Sequence, residues 1–330
     1  MTNVKFAAEK IFQIRNHVDF TSLALEIFQF QYQNNRVYQQ FVNALNVNPA
    51  VVDQIEKIPF LPIEFFKSHR VVSGDFQEET IFTSSGTTGM QTSKHFVKSL
   101  ELYEKSVLDG FRVFFGEPED YVFLALLPSY LEREGSSLVH MAKKLIEWSG
   151  DLRGGFYLHD YEKLAKVLSE LQKENKKVLL LGVTYALLDL AEQYPVHFPE
   201  LILMETGGMK GNRKEMVREE LHTQLKSAFG VDQVFSEYGM TELLSQAYSR
   251  GEGSFKMPPW MQVLIRDVND PLTILAEGKA GGIDVIDLAN IYSCSFISTQ
   301  DLGKKSSSTD FEVLGRFDNS DIRGCNLLVQ

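Results

Sequence analysis

Seven consecutive small residues, Thr83, Ser84, Ser85, Gly86, Thr87, Thr88 and Gly89, follow a short run with strand character. Side chains of this size let a loop curl tightly, so that successive backbone N–H groups face one anion while hydroxyls add further donors. A triphosphate needs such a cradle. The chain contains neither GxxxxGK[ST] nor GxGxxG, so the two common nucleotide loops are absent. A flexible surface loop is the other reading of these seven residues taken alone.

A second group, Glu237-Tyr238-Gly239-Met240-Thr241-Glu242, follows the last strand of an alternating strand–helix region. In open α/β sheets, ligands collect at the carboxyl ends of strands. Tyr238 offers a face on which a base can stack, Thr241 a hydroxyl for phosphate, and Glu242 an oxygen for Mg²⁺. The same six residues also make an ordinary turn with a buried tyrosine. Asp301, in Ser298-Thr299-Gln300-Asp301-Leu302-Gly303 at a predicted strand end, can accept from both hydroxyls of a ribose. Arg316, in Gly315-Arg316-Phe317-Asp318, can reach phosphate or ribose, with Asp318 at a hinge. Such short turns are common, and neither carries weight alone.

Periodicity supplies the frame for these residues. Residues 5–45 show Phe and Ile at helical spacing and predict two amphipathic helices. Pro59 and Pro62 predict an extended course over 58–67. From residue 80 the pattern alternates, with strands at 80–84, 121–127, 178–183, 201–205 and 232–236. Helices are predicted near 100–115, 136–148, 160–175, 184–194 and 213–229, with Ser136 as a cap and Gly116, Gly150 and Gly230 as stops. This alternation predicts a largely parallel sheet covered by helices. Past about residue 255 come short strands at 261–268, 282–288, 295–298 and 311–316, split by polar turns. The division expected is an α/β nucleotide- and acid-binding domain over 1–250 and a β-rich subdomain over 251–330.

The formal net charge of -11 argues against a general nucleic-acid or anionic-membrane binder. A bound nucleotide must then be met by backbone dipoles and a few placed cations. No apolar run is long enough to span a bilayer; the richest, at 178–191, is broken by Gly182, Thr184 and Asp189. The first residues lack a signal-peptide pattern, and Cys294 and Cys325 are the only cysteines, so a cytoplasmic protein is expected. The seven histidines show neither HxxxH nor HExxH spacing, which disfavours zinc, and no GxSxG marks a serine hydrolase. His95, beside Lys94, is a candidate phosphate contact; Lys210 and Arg213 can add positive field beside Gly207 and Gly208.

In order and spacing, the small-residue loop, Tyr238-Gly239-x-Thr241-Glu242, Asp301 and Gly315-Arg316-x-Asp318 resemble the adenylate-forming superfamily over roughly residues 80–325. That superfamily holds acyl-CoA synthetases, peptide-synthetase adenylation domains and beetle luciferases. The resemblance implies a large α/β domain of stacked sheets and helices with a small β subdomain, the nucleotide lying in the crevice between them. It further implies that residues 83–89 hold the phosphates of ATP and that Tyr238 lies against adenine. Thr241 would lie near phosphate, Glu242 would bind Mg²⁺, and Asp301 the ribose. Arg316 matches the arginine of the hinge region, and Gly207 and Gly208 match the segment that lines the adenine. Lys94 stands in for the loop lysine, set back by Met90-Gln91-Thr92-Ser93, and Gln300 stands where most relatives have Gly.

Within the superfamily, residues 58–67, Leu127-Pro128-Ser129-Tyr130, residues 206–211 and Ile322-Arg323-Gly324-Cys325 look most like the acyl-protein synthetases (LuxE-like) of the bacterial luminescence fatty-acid reductase complex. Members attack their own acyl-adenylate with a cysteine near the C-terminus, and Cys325 sits at that place, with Arg323 close by. The separate C-terminal lid domain is expected to be absent, as in that family. The resemblance implies ATP- and Mg²⁺-dependent activation of a carboxylic acid, a fatty acid by analogy, as acyl-AMP, with transfer to Cys325. CoA or a carrier protein is the alternative acceptor, and a catalytically idle nucleotide-binding or scaffold protein is a third reading. The partners implied are the acid and an acyl-transferring or reductase protein, with no nucleic acid and no membrane span.

Overall fold

The computed structural model describes residues 9–84, 91–128, 135–207 and 216–317. Asn16 opens α1 (His17–Asn34), its side-chain oxygen accepting from the Val18 and Asp19 amides. Phe20, Leu23, Ala24, Ile27 and Phe28 recur on its buried face, the spacing that a core-facing helix requires. Asn35 caps α2 (Arg36–Ala44) through the Tyr38 amide. Residues 58–67 are less extended than their prolines predict: β1 (Leu61–Pro62) is only two residues long, and one turn of helix, α3 (Phe65–Ser68), follows at once. Pro62 lies upstream of that turn, where proline does not oppose a helix.

β2 (Thr80–Thr83) does not lead straight into a helix. It turns back on β3 (Lys94–Val97) as an antiparallel pair, separate from the main sheet. Ser99 then caps α4 (Leu100–Phe115), which Gly116 ends at φ +89°, a conformation open to glycine. β4 (Tyr121–Leu126) is buried at every residue, as a strand covered on both faces must be. Ser136 caps α5 (Ser137–Ser149), and left-handed Gly150 closes it. β5 (Gly155–Phe156), α6 (Tyr161–Leu171), β6 (Lys177–Gly182), α7 (Thr184–Gln193) and β7 (Ile202–Glu205) continue the alternation. α8 (Arg218–Phe229) begins later than the periodicity predicts, and β8 (Phe235–Tyr238) lies further along the chain, so Tyr238 is a strand residue.

β4 to β8 are parallel, in the order β5-β4-β6-β7-β8. From β8 the sheet turns antiparallel through β9 (Ala247–Ser249) and β10 (Ser254–Lys256). β11 (Met261–Arg266), β12 (Ala280–Asp287), β13 (Phe296–Lys305) and β14 (Asp310–Arg316) complete it. β10 pairs with β14, and β1 lies parallel to the first part of β13, so these strands form one twelve-stranded mixed sheet. The hydrogen-bond ladder therefore runs unbroken from the α/β half into the β-rich half.

The antiparallel half encloses a charged pair. Arg266 donates to Asp284 Oδ1 at 2.7 Å and to the carbonyls of Ile283 and Thr299 at 2.9 and 2.6 Å. Asp284 is fully buried, and burial pushes its carboxyl up to about 6 despite the guanidinium. Removing one member of such a pair leaves the other buried and unpaired. Asp284→Ala is expected to lower stability by about 3–5 kcal/mol. Urea unfolding measures this, and a loss below ~1 kcal/mol would show that the pair does not hold the strands.

Candidate active site

β8 delivers Tyr238 to the carboxyl end of the parallel run, the place where such sheets open towards ligands. The Tyr238 ring is 8% exposed and meets Phe255 and Phe311 edge-on, at 5.8 and 5.3 Å between centroids. Its hydroxyl donates to Asp301 Oδ2 at 2.9 Å. Asp301 pairs in register with Arg316, whose Nε lies 3.5 Å from Asp301 Oδ1. One carboxylate thus links the end of the parallel half to two strands of the antiparallel half. Burial raises the Asp301 carboxyl above its ordinary range, and the Arg316 charge and the Tyr238 bond oppose the rise. Arg316 is exposed, so its charge stands over a largely buried acid.

The residues after Tyr238 are anchored through their main chain. His95 Nδ1 lies 2.9 Å from the Thr241 carbonyl oxygen. A carbonyl only accepts, so Nδ1 carries the proton of that bond. Burial lowers the imidazole to about 4 and keeps it neutral near pH 7. Asn290 Nδ2 donates to the Glu242 carbonyl at 2.7 Å. Asp287 Oδ2 accepts from the amides of Leu244 and Ser245 at 2.9 Å each, and Asp287 Oδ1 from Ser245 Oγ at 2.6 Å. Trp260 Nε1 in turn donates to Ser245 Oγ at 2.9 Å. Buried backbone groups need partners, and here side chains from three separate elements supply them.

Glu242 itself is buried. Desolvation raises its carboxyl, while a hydrogen bond with Ser93 and the charges of Arg316 and Lys67 lower it. Ser93 also closes the neck of the small-residue loop: the Ser84 amide donates to the Ser93 carbonyl at 3.1 Å, and the Ser93 amide to Ser84 Oγ at 2.9 Å. Lys94 is exposed and pairs in register with Thr83. On the neighbouring strand end, Glu205 Oε2 accepts from the Gly207 amide at 2.5 Å and from Thr184 Oγ1 at 3.3 Å. Gly207 has φ +73°, which suits glycine at that bend.

The structure therefore brings Thr83, Ser84, Lys94, Tyr238, Thr241, Glu242, Asp301 and Arg316 onto adjoining elements, with Gly207 one strand away. Ser85, Gly86, Thr87, Thr88, Gly89, Gly208 and Cys325 lie outside the described residues. Two expectations are corrected. Asp301 stands within β13, not at a strand end, because β13 continues to Lys305 against β12 and β14. His95 is no phosphate contact: alternation along β3 turns it inwards and leaves its neighbour Lys94 outside. Cys294 is fully buried, its Sγ lies 3.3 Å from the Phe296 carbonyl, and burial pushes the thiol up to about 12. It is an inert thiol. Among the described residues no three His, Cys, Asp or Glu side chains are grouped to hold a metal ion. No helix among them is long and apolar enough to cross a membrane.

Sequence reasoning passed over Glu205, Asp287 and Glu237. The first two were legible only as acids beside turns, since their partners, main-chain amides and a hydroxyl each, are brought to them by the fold. Glu237 precedes Tyr238, and burial together with the Glu205 charge pushes its carboxyl up to about 8. Gly239 makes room for it, because a Cβ at that position would stand 2.3 Å from Glu237 Oε1. A larger residue at 239 would have to displace that carboxyl.

The fold recurs in solved structures. The fold matches ATP-bound MatB from Rhodopseudomonas palustris with a TM-score of 0.55 at 18% identity, over 72% of this chain and 47% of that one. The chain thus spans about half the length of MatB. It matches 2-hydroxyisobutyryl-CoA ligase, solved in an open conformation with 2-HIB-AMP and CoA, with a TM-score of 0.66 at 12% identity, over 93% and 72% of the two chains. The likeness is one of fold, shared by this chain and these two structures. In sequence, the acyl-protein synthetase family LuxE matches at residues 10–105. The long-chain-fatty-acid–luciferin-component ligase of Vibrio harveyi is 24% identical over 325 residues, covering 91% of this chain and 84% of that protein. The chain is thus similar to the LuxE acyl-protein synthetases, by the family's pattern over residues 10–105 and by one relative along most of its length.

The raised Glu237 carboxyl makes stability depend on pH. Between the ordinary carboxyl range and about 8 the folded chain holds a proton that the unfolded chain has lost. Stability due to this group is therefore complete at low pH and falls as pH rises, by at most about 1.4 kcal/mol per unit. Glu237→Gln removes that slope. The variant is expected to melt above the parent by a margin that widens from pH 5 to 8, and a constant or shrinking margin would mean that Glu237 ionises freely.

Proposed function

We propose that this chain activates a carboxylic acid with ATP as acyl-AMP and passes the acyl group to a thiol. The observation that carries this reading is the junction of Tyr238, Asp301 and Arg316 with the anchored Thr241–Glu242 segment at the carboxyl end of β8. Asp301 uses one oxygen on Tyr238 and keeps acceptor capacity for ribose hydroxyls. Tyr238 is the ring proposed to lie beside adenine, with Gly207 and Gly208 on the neighbouring strand end. Residues 83–89, with Lys94 and Arg316, would meet the phosphates, in a crevice between the α/β part (1–250) and the β-rich part (251–330).

Glu242 suits a metal ion in one specific respect. Its carboxyl is raised by desolvation, so a cation beside it supplies charge stabilisation that the chain alone does not. Mg²⁺ on phosphates commonly uses one or two protein carboxylates, and when bound it neutralises phosphate charge during attack at the α-phosphorus. The substrate carboxylate oxygen attacks that phosphorus and pyrophosphate leaves; the residues named here orient the two reactants and exclude water. The acyl carbon then passes to a thiolate with departure of AMP. Cys325 is the proposed acceptor, supported by the family likeness and by the inert state of Cys294. A fatty acid is the proposed substrate, since the Vibrio harveyi relative is named a long-chain-fatty-acid ligase. A reductase or acyl-transferring protein is the proposed recipient beyond Cys325.

ATP–pyrophosphate exchange across straight-chain acids of increasing length tests the reading. Metal-dependent exchange with at least one acid is expected, and Glu242→Gln should lower its rate about tenfold or more, equivalent to ~1.4 kcal/mol of barrier, with a smaller effect on ATP affinity. Labelled acid should then leave hydroxylamine-sensitive label on the parent but not on Cys325→Ala. Exchange without protein label, with thioester released onto added CoA, would move the acceptor to CoA. No exchange with any acid would overturn the proposal.

A further inference from the structure

We infer that His95 is a positioning residue: it sets the Thr241–Glu242 segment against the hairpin that carries the small-residue loop. The inference rests on the activation reading above and adds a residue to it. The β2–β3 hairpin is hydrogen-bonded as its own two-stranded sheet. No ladder joins it to the large sheet, so its placement rests on side chains and on a main-chain bond from the Thr83 amide to the Gly135 carbonyl at 2.8 Å. Ser93 and His95 are two residues apart, so both face the same way in an extended chain. Both are buried, at 2% and 1% exposure. Ser93 bonds the Glu242 side chain, and His95 Nδ1 reaches the Thr241 carbonyl at 2.9 Å. Lys94, between them, faces the other way and is exposed.

Two consecutive residues of one strand end are thus gripped by alternate residues of the hairpin. The grip aims Lys94 and the neck residues Thr83 and Ser84 relative to Thr241 and Glu242. Phe66 packs edge-on to the imidazole at 5.8 Å between centroids and fixes its plane. His95 touches neither substrate nor metal in this account; it acts through the Thr241 main chain. A shift of about 1 Å between two such segments is enough to cost on the order of a hundredfold in rate.

The test compares three substitutions in the full chain. His95→Leu keeps an apolar filling but leaves the Thr241 carbonyl without its donor. His95→Asn places an amide N–H where Nδ1 stood, because the two nitrogens lie the same number of bonds from Cβ. His95→Gln carries its amide one bond too far. In pyrophosphate exchange, His95→Leu and His95→Gln are expected to lose about tenfold or more in kcat. KM for ATP should stay within about threefold of the parent, because the lost interaction acts on alignment in the reaction. His95→Asn should recover most of the rate although it fills the pocket less well than Leu. A packing role predicts the opposite order, and parent-like kcat in His95→Leu, or Asn no better than Leu, would overturn the inference. If the parent exchanges pyrophosphate with no acid, the activation reading alone fails. Amide hydrogen exchange over residues 238–245 then decides the role of His95. Faster exchange in His95→Leu with protection restored in His95→Asn supports it, and unchanged protection in both rejects it.

Discussion

Everything assigned to this site depends on how the chain leaves β8. After an exposed Gly239 the backbone turns a corner inwards and is buried from Glu242 onwards, where its amides and carbonyls need partners within the protein. His95, Asn290 and Asp287 take over that task from three separate elements, while Asp301 holds the Tyr238 hydroxyl. Each buried polar group left unpaired would cost about 1–3 kcal/mol, so the corner has one low-energy path. The same bonds that stabilise it fix where Tyr238, Thr241 and Glu242 stand. Stability and placement come here from one set of contacts, which is why these residues are poor candidates for independent change.

Charge presents a second constraint. Under the proposed activity, a chain with net charge -11 must still admit a polyanion. Burial acts in the right direction: Glu237, Glu242, Asp287 and Asp301 all lie near the corner, and desolvation raises each carboxyl. A raised carboxyl carries less negative charge near neutral pH, so the local field is milder than the residue count implies. Arg316 and Lys94 remain exposed as cations. Few cations suffice when the neighbouring acids are buried.

Much of the frame was legible because its signals are local. Ser136 and Gly150 bracket α5 as read, Gly116 and Gly230 stop their helices, and the apolar run of β4 admits few other readings. β3 escaped notice because Lys94-His95-Phe96-Val97 is too short for a period and takes its pattern from β2 alone. The length of β13 escaped for a related reason: Gln300 and Asp301 look like turn residues until β14 supplies their partners. Tyr238, Asp301 and Arg316 were read as separate weak signals, and their junction is a product of strand order, which no local pattern encodes. His95 shows the same limit. Its neighbour Lys94 suggested phosphate, yet one step of strand alternation reverses the direction of the side chain.

The central claim is that β8, β13 and β14 meet at one nucleotide site. Photolabelling with 2-azido-ATP and Mg²⁺, followed by peptide mapping, tests it most directly. The account predicts label in the peptide holding Tyr238 or in the segment next to Gly207, abolished by excess ATP and weakened by Asp301→Ala. Label that ATP does not displace, or that concentrates on peptides remote from these strand ends, would contradict it.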